Sequence, residues 1–574
     1  MSWRAILGSI WAANFTACRA IPGTRIRHTL PGSDKFNVRQ TSQLRSSYDF
    51  VIVGGGTSGL TVADRLTEAF SRKTVLVIEY GQLEEAPGFF EPPGLWQAPQ
   101  SYATLAVYSS LPTPEMNNKI TRVVAGTVVG GGAAVNGQFL DRPSGLDLDS
   151  WVEFAGRGYK GWGWKRILPF FKKSVTSTEP SPAQVARHGY TWGLSAYGGN
   201  TPIYASYPDF QWGDVQVLNR TWSNYDLLVR HQVTRVVYPK NAKSGPPKVE
   251  IKSLADGTVF TVTAKAEVIL SAGALSTPLI LQQSGIGPKS FLKSANIPLT
   301  IDLPGVGSNL QDHGGLSMYW NYTSPPATLS PSPSDMLDPA FHANATSDWN
   351  SNPATGPYTL ERGNTALYLS LPHTSPKTYK SLTSQIRSSV SSAPDPSQIP
   401  RQPQLPNPAL TTPGVLGMNL HPLSRGTVRF STSNPLGAPI IDVRGLSNPL
   451  DLDIYLEITK YLRKIITTPT MQSFGAYESS PGPVGIGEDD DEALKEWIKD
   501  ALSLSYAHPC CTAALGPKAK GGVVGADLKV HGASGLRVVD MSVLPMVPST
   551  HLSATAHAIG EKGADLIAGE WRGR

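Results

Sequence analysis

The stretch YDFVIVGGGTSGLTVADRLTEAFSRKTVLVIEYG, residues 48–81, decides the fold. Its first apolar run, residues 50–53, is typical of a strand that is buried on both faces of a parallel sheet. Gly54, Gly56 and Gly59 follow with the spacing GxGxxG. That spacing permits a tight turn, a close backbone approach to a pyrophosphate, and close packing of a helix on the sheet.

The second half of the stretch supplies two further parts of a nucleotide site. A helix predicted over residues 58–70 would point its N-terminal amides at the pyrophosphate. A strand predicted over residues 74–78 ends at Glu79, where a carboxylate can accept hydrogen bonds from a ribose 2′-hydroxyl and would repel a 2′-phosphate. The stretch therefore predicts a dinucleotide site and leaves NAD and FAD open.

Length and composition indicate a large globular protein with two domains. The chain has 574 residues, more than a single core usually organises. Its net charge of +6 comes from scattered Lys and Arg residues, which argues against a nucleic-acid groove. No stretch of the sequence approaches the roughly 20 apolar residues of a membrane span. Neither nucleic acid nor a membrane span is therefore expected.

The N-terminus and the sequons suggest a location. Residues 1–20 contain two arginines, a short apolar stretch and small residues, which makes them a candidate signal peptide. A secreted or lumenal protein is expected, with a cytoplasmic location as the alternative. A glycoprotein is also expected, because N-x-S/T sequons occur at Asn14, Asn219, Asn321 and Asn344.

Three cysteines, Cys18, Cys510 and Cys511, are too few for a disulfide framework or a cysteine-ligated zinc site. No metal site is predicted. Cys510 and Cys511 are interpreted as two compact buried residues, in preference to a disulfide between neighbours or a reactive thiol.

A second glycine-rich turn lies in RVVAGTVVGGGAAVNGQFLDRPS, residues 122–144. Its consecutive glycines, 130–132, leave backbone amides bare, and such a turn can lie against a planar ring or a phosphate. Asn136 and Gly137 close the turn. The turn is therefore a second candidate contact for the nucleotide.

The later chain alternates predicted helices with long loops. Residues 324–357 and 372–414 are dense in Pro, Ser and Thr and are interpreted as loops. Residues 451–466 and 488–503 are typical of amphipathic helices. The acidic run that opens the second of these helices is expected to complement the helix dipole in preference to binding a cation.

Five segments in this order resemble the signatures of the glucose–methanol–choline, or GMC, flavoprotein oxidoreductases. They are VIVGGGTSGL with Glu79; GTVVGGGAAVNG; GALSTPLILQQSGIG; LPGVGSNLQDH; and the C-terminal group AHPCCTAALGP, GLRVVDMSVLP and PSTHLSA. The resemblance runs along nearly the whole chain. Within the family, the pattern is similar to fungal glucose-oxidase-like and aryl-alcohol-oxidase-like members.

The resemblance implies an α/β fold, with a doubly wound Rossmann-like FAD-binding domain and an α+β substrate domain on an antiparallel sheet. The FAD-binding domain would be assembled from residues 46–152, 226–315 and 505–574. A substrate or cap region would occupy 153–225 and the substrate-binding domain 316–504. A monomer or a homodimer is expected.

The resemblance also makes FAD the cofactor and assigns its contacts. For the ADP half these are Gly54, Gly56, Thr57, Ser58, Gly59, Glu79 and the backbone of Val233; for the pyrophosphate, the flavin ring and the flavin's polar chain they are Gly130, Asn136, Gly137 and Asp540. No histidine occurs at 126–137, where some members attach flavin covalently. A dissociable FAD is therefore expected.

The family's catalytic pair matches His508 and His551. The reaction it implies is oxidation of a small-molecule alcohol, with oxygen or a quinone as the electron acceptor. One imidazole accepts the hydroxyl proton while the carbinol carbon delivers hydride to flavin N5, and the other holds the alkoxide-like oxygen. We assign the base to His508, with the reverse division of roles left open. Sugar, aryl alcohol and polyketide substrates all stay open.

Two other functions are compatible with these motifs. Some relatives catalyse non-redox cyclase or lyase reactions in fungal secondary metabolism, which need only acid–base groups. The region 190–224, shorter than in many relatives, could accompany such a change at the substrate entrance. A flavin-holding protein without catalysis is the third alternative.

Overall fold

A computed structural model describes residues 37–83, 104–136, 139–177, 179–180, 182, 185–186, 193–198, 203–205, 215–217, 225–238, 246–323, 338–349, 369–370, 375, 378–391, 404–405, 409–410, 414–480, 486–487 and 490–573. The candidate signal peptide, Gly137, the sequons at Asn14 and Asn219, and most of 190–224 lie outside the described residues.

The described helices are α1 (Thr57–Ala69), α2 (Gly145–Ala155), α3 (Trp164–Ser174), α4 (Gly273–Gln283), α5 (Lys289–Ser294), α6 (Pro339–Trp349), α7 (Tyr379–Ser391), α8 (Leu450–Ile466), α9 (Pro469–Ser473), α10 (Asp491–Ala501) and α11 (Ser553–Trp571). The described strands are β1 (Asn37–Val38), β2 (Ser47–Val53), β3 (Val75–Ile78), β4 (Leu105–Ser109), β5 (Arg122–Gly126), β6 (Val175–Ser177), β7 (Ile203–Ala205), β8 (Val215–Val217), β9 (Tyr225–Leu228), β10 (His231–Val237), β11 (Lys248–Ser253), β12 (Val259–Leu270), β13 (Ile286–Gly287), β14 (Ile301–Asp302), β15 (Gly314–Tyr322), β16 (Leu369–Ser370), β17 (Gln404–Leu405), β18 (Ala409–Leu410), β19 (Gly414–Asn419), β20 (Thr427–Arg429), β21 (Ile440–Asp442), β22 (Ala476–Ser480) and β23 (Leu536–Val538).

The larger sheet has a parallel core. Strands β9, β3, β2, β12 and β23 pair in parallel, and β11 and β10 extend the sheet in antiparallel fashion. The apolar runs predicted around the first motif form β2 and β3, and all four residues of β3 are buried. The carboxyl ends of these parallel strands lead into Gly54, Glu79, Ser271 and Asp540. Ligands of doubly wound sheets bind at such an edge.

The smaller sheet is antiparallel and has its own core. Its strands follow the order β18, β19, β15, β22, and α8 and α10 pack against it through buried residues such as Leu316, Ile458 and Leu494. The predicted fold class, a doubly wound domain plus an α+β domain with an antiparallel sheet, is confirmed.

Two loop predictions are wrong. The segments 324–357 and 372–414 contain helices α6 and α7 within their described residues. In α7, Leu382 and Ile386 lie one helical turn apart and both are buried, so this helix has an apolar face. The many Pro, Ser and Thr residues of the segment made that face hard to recognise in the sequence. The helices predicted at 451–466 and 488–503 are present as α8 and α10.

The described part of the acidic run, from Asp490 onward, lies at the start of α10, as predicted. Asp490 occupies the N-cap, and its side chain accepts a hydrogen bond from the amide of Ala493. The described residues contain no group of ligands able to hold a metal ion. Within the same residues, no helix is long and apolar enough to cross a membrane.

Cys510 and Cys511 are fully buried, as predicted, but a disulfide joins them. The preference for two separate thiols is therefore wrong. The backbone around the pair is well held, because Cys510 and Gln311 exchange both of their backbone hydrogen bonds and the amide of Cys511 donates to the carbonyl of Met541. Composition could not reveal the bond, because it depends on how this loop is held.

Candidate active site

The two glycine-rich turns touch each other. The amide of Gly130 donates to the carbonyl of Gly55 at 2.8 Å, and Gly56 pairs with Gly130 as an isolated bridge. A Cβ added to Gly131 would lie 2.8 Å from the Cα of Gly56. The hydroxyl of Thr57 lies 3.3 Å from both the carbonyl of Gly130 and the amide of Ala133. The turns therefore form one cradle whose backbones approach too closely for side chains.

Other glycines of the first motif fit the sheet and the helix. Gly54 has φ +106°, and a Cβ there would lie 2.3 Å from the carbonyl oxygen of Ser271. A Cβ on Gly59 would lie 2.1 Å from the carbonyl oxygen of Gly54. These contacts agree with the turn and packing roles that the spacing predicts.

The cradle fits the diphosphate of a dinucleotide. Gly56 occupies the N-cap of α1 and has no side chain with which to cap the helix, so the N-terminal amides are available to an anion. A Cβ on Gly132 would meet no described atom within 4 Å, so the described residues leave this side of the cradle open. Asn136 follows in the same turn.

Glu79 lies at the end of β3, beside the cradle. Its carboxylate accepts hydrogen bonds from the amides of Gly55 and Gly81, both at 2.7 Å. Burial raises the pKa of Glu79, and these amides oppose that shift. The carbonyl of Glu79 accepts from the amide of His231, which brings β10 and the buried Val233 to the same end of the sheet. This arrangement suits the ribose and adenine contacts that the sequence predicts.

Ser58 and Asp540 make contacts within the protein. The hydroxyl of Ser58 donates to the carbonyl of Ala556 in α11 at 2.8 Å. The carboxylate of Asp540 accepts from the amide of Gly273 at 2.9 Å and the hydroxyl of Thr277 at 2.6 Å. Both side chains thus hold helices that surround the cradle, and their direct roles toward FAD stay predictions.

The structure brings the two predicted catalytic histidines together. The rings of His508 and His551 lie 5.3 Å apart between centroids and meet edge to face at 82°. His508 belongs to the loop that follows α10, and His551 lies just before α11. Segments far apart in the sequence therefore meet at one site.

His508 is held by two residues that directly precede β15. Its amide donates to Asp312 at 3.0 Å, and its Nδ1 lies 3.0 Å from Nδ1 of His313. Burial lowers the pKa of His508 well below its ordinary value, and the nearby His313 and His551 lower it further. His508 is therefore a neutral imidazole near pH 7.

His551 has different surroundings. Its Nδ1 lies 3.2 and 3.1 Å from the two carboxylate oxygens of Asp141, and its ring stacks on Phe139 at 4.3 Å with an interplanar angle of 6°. The Asp141 carboxylate can accept a hydrogen bond from an Nδ1–H of His551, which orients the ring. The two histidines are thus chemically unlike.

Sequence reasoning missed His313, Asp141 and Phe139. All three stand in quoted motifs, LPGVGSNLQDH and RVVAGTVVGGGAAVNGQFLDRPS, but had no role. The sequence could have pointed to Asp141, because it is an acidic residue that closely follows the second glycine-rich turn. That segment reaches from the cradle at Gly130 to the ring of His551, so the nucleotide site and the histidine pair share one loop.

This fold and this site define a flavin-dependent oxidoreductase, and family comparisons agree. Two family models described as GMC oxidoreductase match the chain, the N-terminal one at residues 48–198 and 214–314 and the C-terminal one at residues 422–560. The chain belongs to the GMC oxidoreductase family. It is an FAD-dependent oxidoreductase of the alcohol-acting class, as the sequence predicts.

Several relatives span nearly the whole chain. A structure of a fungal aryl-alcohol oxidase is similar at 47% identity and a TM-score of 0.85, covering 92% of this chain and 100% of the other. An FAD-dependent oxidoreductase from Chaetomium thermophilum is similar at 32% identity and a TM-score of 0.84, with the same coverage. Dehydrogenase xptC from Emericella nidulans is 31% identical, covering 92% of this chain and 94% of the relative.

Proposed function

We propose that this protein oxidises an aromatic alcohol at its CH–OH carbon, with His508 as the base. The observation that carries the proposal is the edge-to-face contact between the neutral ring of His508 and the ring of His551, whose Nδ1 faces Asp141. When bound, FAD supplies the two-electron acceptor for the carbinol hydride. The glycine cradle and Glu79 are the residues that would hold it.

His508 supports the role of base because it is neutral and partly accessible. Its lowered pKa keeps the ring unprotonated at neutral pH, so its free nitrogen can accept the hydroxyl proton of the alcohol. General-base assistance of this kind typically contributes about 10²–10⁴-fold to a rate.

His551 supports the complementary role of holding the alcohol oxygen. With Nδ1 directed at Asp141, the other ring nitrogen is left for the substrate. The side chains of His551 and Asp141 are 20% and 25% exposed, so both can be reached from outside the core. A hydrogen bond from this ring would stabilise negative charge that develops on the oxygen.

Two observations favour an aromatic substrate. The structural relative that is 47% identical is described as a fungal aryl-alcohol oxidase. Phe139, stacked on His551, supplies an aromatic wall beside the pair, and aromatic rings favour stacked or edge-to-face contacts with one another. A role in secondary metabolism and a secreted location stay predictions.

The test is anaerobic mixing of the FAD-loaded protein with aryl, aliphatic and sugar alcohols. We expect aryl alcohols to bleach the flavin absorbance fastest, and His508→Ala to slow that bleaching by about 10²–10⁴-fold. Readmitting oxygen, or adding a quinone, identifies the electron acceptor. A His508→Ala variant at the wild-type rate would remove the assigned base. Product formed without any flavin bleaching would support the non-redox alternative.

A further inference from the structure

We infer that His313 is a positioning residue that holds His508 in the one tautomer able to accept a proton. The inference rests on the proposed function, because it names how the proposed base is kept ready. His313 lies directly before β15 and is fully buried. Its two ring nitrogens lie within hydrogen-bond distance of different loops, one that carries His508 and one that leads to His551.

The tautomer of His313 follows from its partner. Its Nε2 lies 3.0 Å from the carbonyl oxygen of Pro548. A carbonyl oxygen can only accept a hydrogen bond, so Nε2 must carry the hydrogen. The ring is neutral, because burial lowers the pKa of His313 to about 3, with His551 and His421 contributing further. A neutral ring protonated at Nε2 has a lone pair at Nδ1.

The tautomer of His508 follows in turn. The Nδ1 atoms of His313 and His508 are 3.0 Å apart, and the His313 nitrogen is the acceptor. His508 must therefore donate its Nδ1 hydrogen to His313. A neutral His508 protonated at Nδ1 has its lone pair at Nε2, the nitrogen that is left for the substrate.

The same hydrogen bond persists when His508 takes up a proton. Proton transfer to Nε2 leaves the Nδ1 hydrogen in place, and the positive ring donates more strongly than the neutral one. The site thus needs no rearrangement during the transfer. His313 contacts the base and not the reacting alcohol, so its part is positioning.

Two amide variants separate the two hydrogen bonds of His313. His313→Asn can place its side-chain oxygen near the position of Nδ1 and still accept from His508. His313→Gln can place its amide nitrogen near Nε2 and still donate to Pro548, but it offers His508 no acceptor at Nδ1. The pair is matched, because both variants exchange one buried ring for one neutral amide.

The first measurement is the tautomer itself. Long-range ¹H–¹⁵N spectra of FAD-loaded protein labelled with ¹⁵N-histidine distinguish protonated from unprotonated ring nitrogens, and His508→Ala identifies the His508 signals. We expect His508 protonated at Nδ1 in the wild type and in His313→Asn, with loss of that preference in His313→Gln. A wild-type His508 protonated at Nε2 would overturn the inference whatever the variants do.

The second measurement is the rate constant of flavin reduction by an aryl alcohol. We expect His313→Gln to lower it by up to about 10²–10⁴-fold with little change in substrate dissociation constant, and His313→Asn to lower it far less. If both variants lower the rate constant equally and the His508 tautomer is unchanged, His313 has only a structural role. If His313→Gln fails to load FAD, the His508 tautomer in the wild type and in His313→Asn still tests the inference. An inactive His508→Ala beside a fully active His313→Gln would remove this inference alone, and a fully active His508→Ala would remove the proposed function.

Discussion

Two histidines at the centre of this site have different partners at Nδ1. Burial and two neighbouring imidazoles lower the pKa of His508, so its neutral form is favoured. His551 instead has the carboxylate of Asp141 at 3.1 Å from its Nδ1. When two groups of the same type have different surroundings, they can take different acid–base roles. The partners at Nδ1, His313 and Asp141, therefore matter as much as the pair itself.

Asp141→Asn tests the partner of His551. The change keeps the size of the side chain but removes the charge beside the ring. Because a hydrogen bond to a charged group is worth about 1.5–3 kcal/mol, flavin reduction should slow by roughly 10- to 100-fold. Stopped-flow absorbance with an aryl alcohol measures the rate. Asp256→Asn, an exposed acid in the turn before β12, is the control and should leave the rate unchanged. An Asp141→Asn rate equal to that control would exclude the Asp141 carboxylate as a contributor to flavin reduction.

The pH profile tests the neutrality of His508. A base works only while unprotonated, and a lowered pKa extends that state toward acid. We therefore expect kcat/KM to stay level as pH falls through 6.5, the ordinary value for histidine, and to decline only well below it. Steady-state rates across buffers of constant ionic strength give the profile. Burial raises the pKa of Asp312, which accepts from the amide of His508, to about 7, so the profile is also measured in Asp312→Asn. An acid limb centred at or above 6.5 that persists in that variant would contradict the assignment of His508 as the sole base.

At the scale of elements, the glycine turns serve two separable purposes. Some glycines allow the turns to pack on the sheet, and others are predicted to leave a surface bare for the cofactor. Gly59 is of the first kind, because a Cβ there would lie 2.1 Å from the carbonyl of Gly54. Gly132 is of the second kind, because a Cβ there would meet no described atom within 4 Å.

Gly59→Ala should therefore lower stability, and Gly132→Ala should weaken FAD binding. Gly59→Ala forces α1 away from β2, and overpacking typically costs about 1–3 kcal/mol, so the melting temperature should fall. Gly132→Ala should melt like the wild-type apoprotein but bind FAD more weakly, because its methyl group enters the open side of the cradle. Thermal melting of apoprotein and fluorescence titration with FAD separate the effects. Wild-type FAD affinity in Gly132→Ala would show that this side does not face the cofactor.

Across the whole molecule, the sequence predicted those features that depend on the spacing of residues within one short stretch. Gly54, Gly59 and Glu79 lie in one continuous stretch, so their turn, their packing and their place at the edge of the sheet could be predicted. The pairing of His508 with His551 came only from a family resemblance. Asp141 and His313 were missed because a partner at Nδ1 depends on how distant loops meet. Helix α7 was missed because Leu382 and Ile386 are sparse among polar residues.

The buried pair that joins α1 to α11 gives the prediction that belongs to the whole molecule. Arg65 holds Glu561 with Nη2–Oε1 at 2.7 Å, and their side chains are only 7% and 1% exposed. Lys173, 47% exposed, is a second partner of Glu561. Because α11 begins just after His551, this pair anchors the C-terminal helix next to one of the predicted catalytic histidines.

Removing Arg65 alone should therefore destabilise the entire fold. Arg65→Met leaves the carboxylate of Glu561 buried with one partner instead of two, and breaking a buried pair typically costs about 3–5 kcal/mol. The double variant Arg65→Met/Glu561→Met should recover part of that loss, because no buried carboxylate is left without its guanidinium partner. Arg235→Met breaks the exposed pair with Glu250 and should cost less than about 1 kcal/mol. Chemical denaturation of the four proteins measures these differences. If Arg65→Met is no worse than Arg235→Met, packing of α11 on α1 holds this end of the molecule without help from the ion pair.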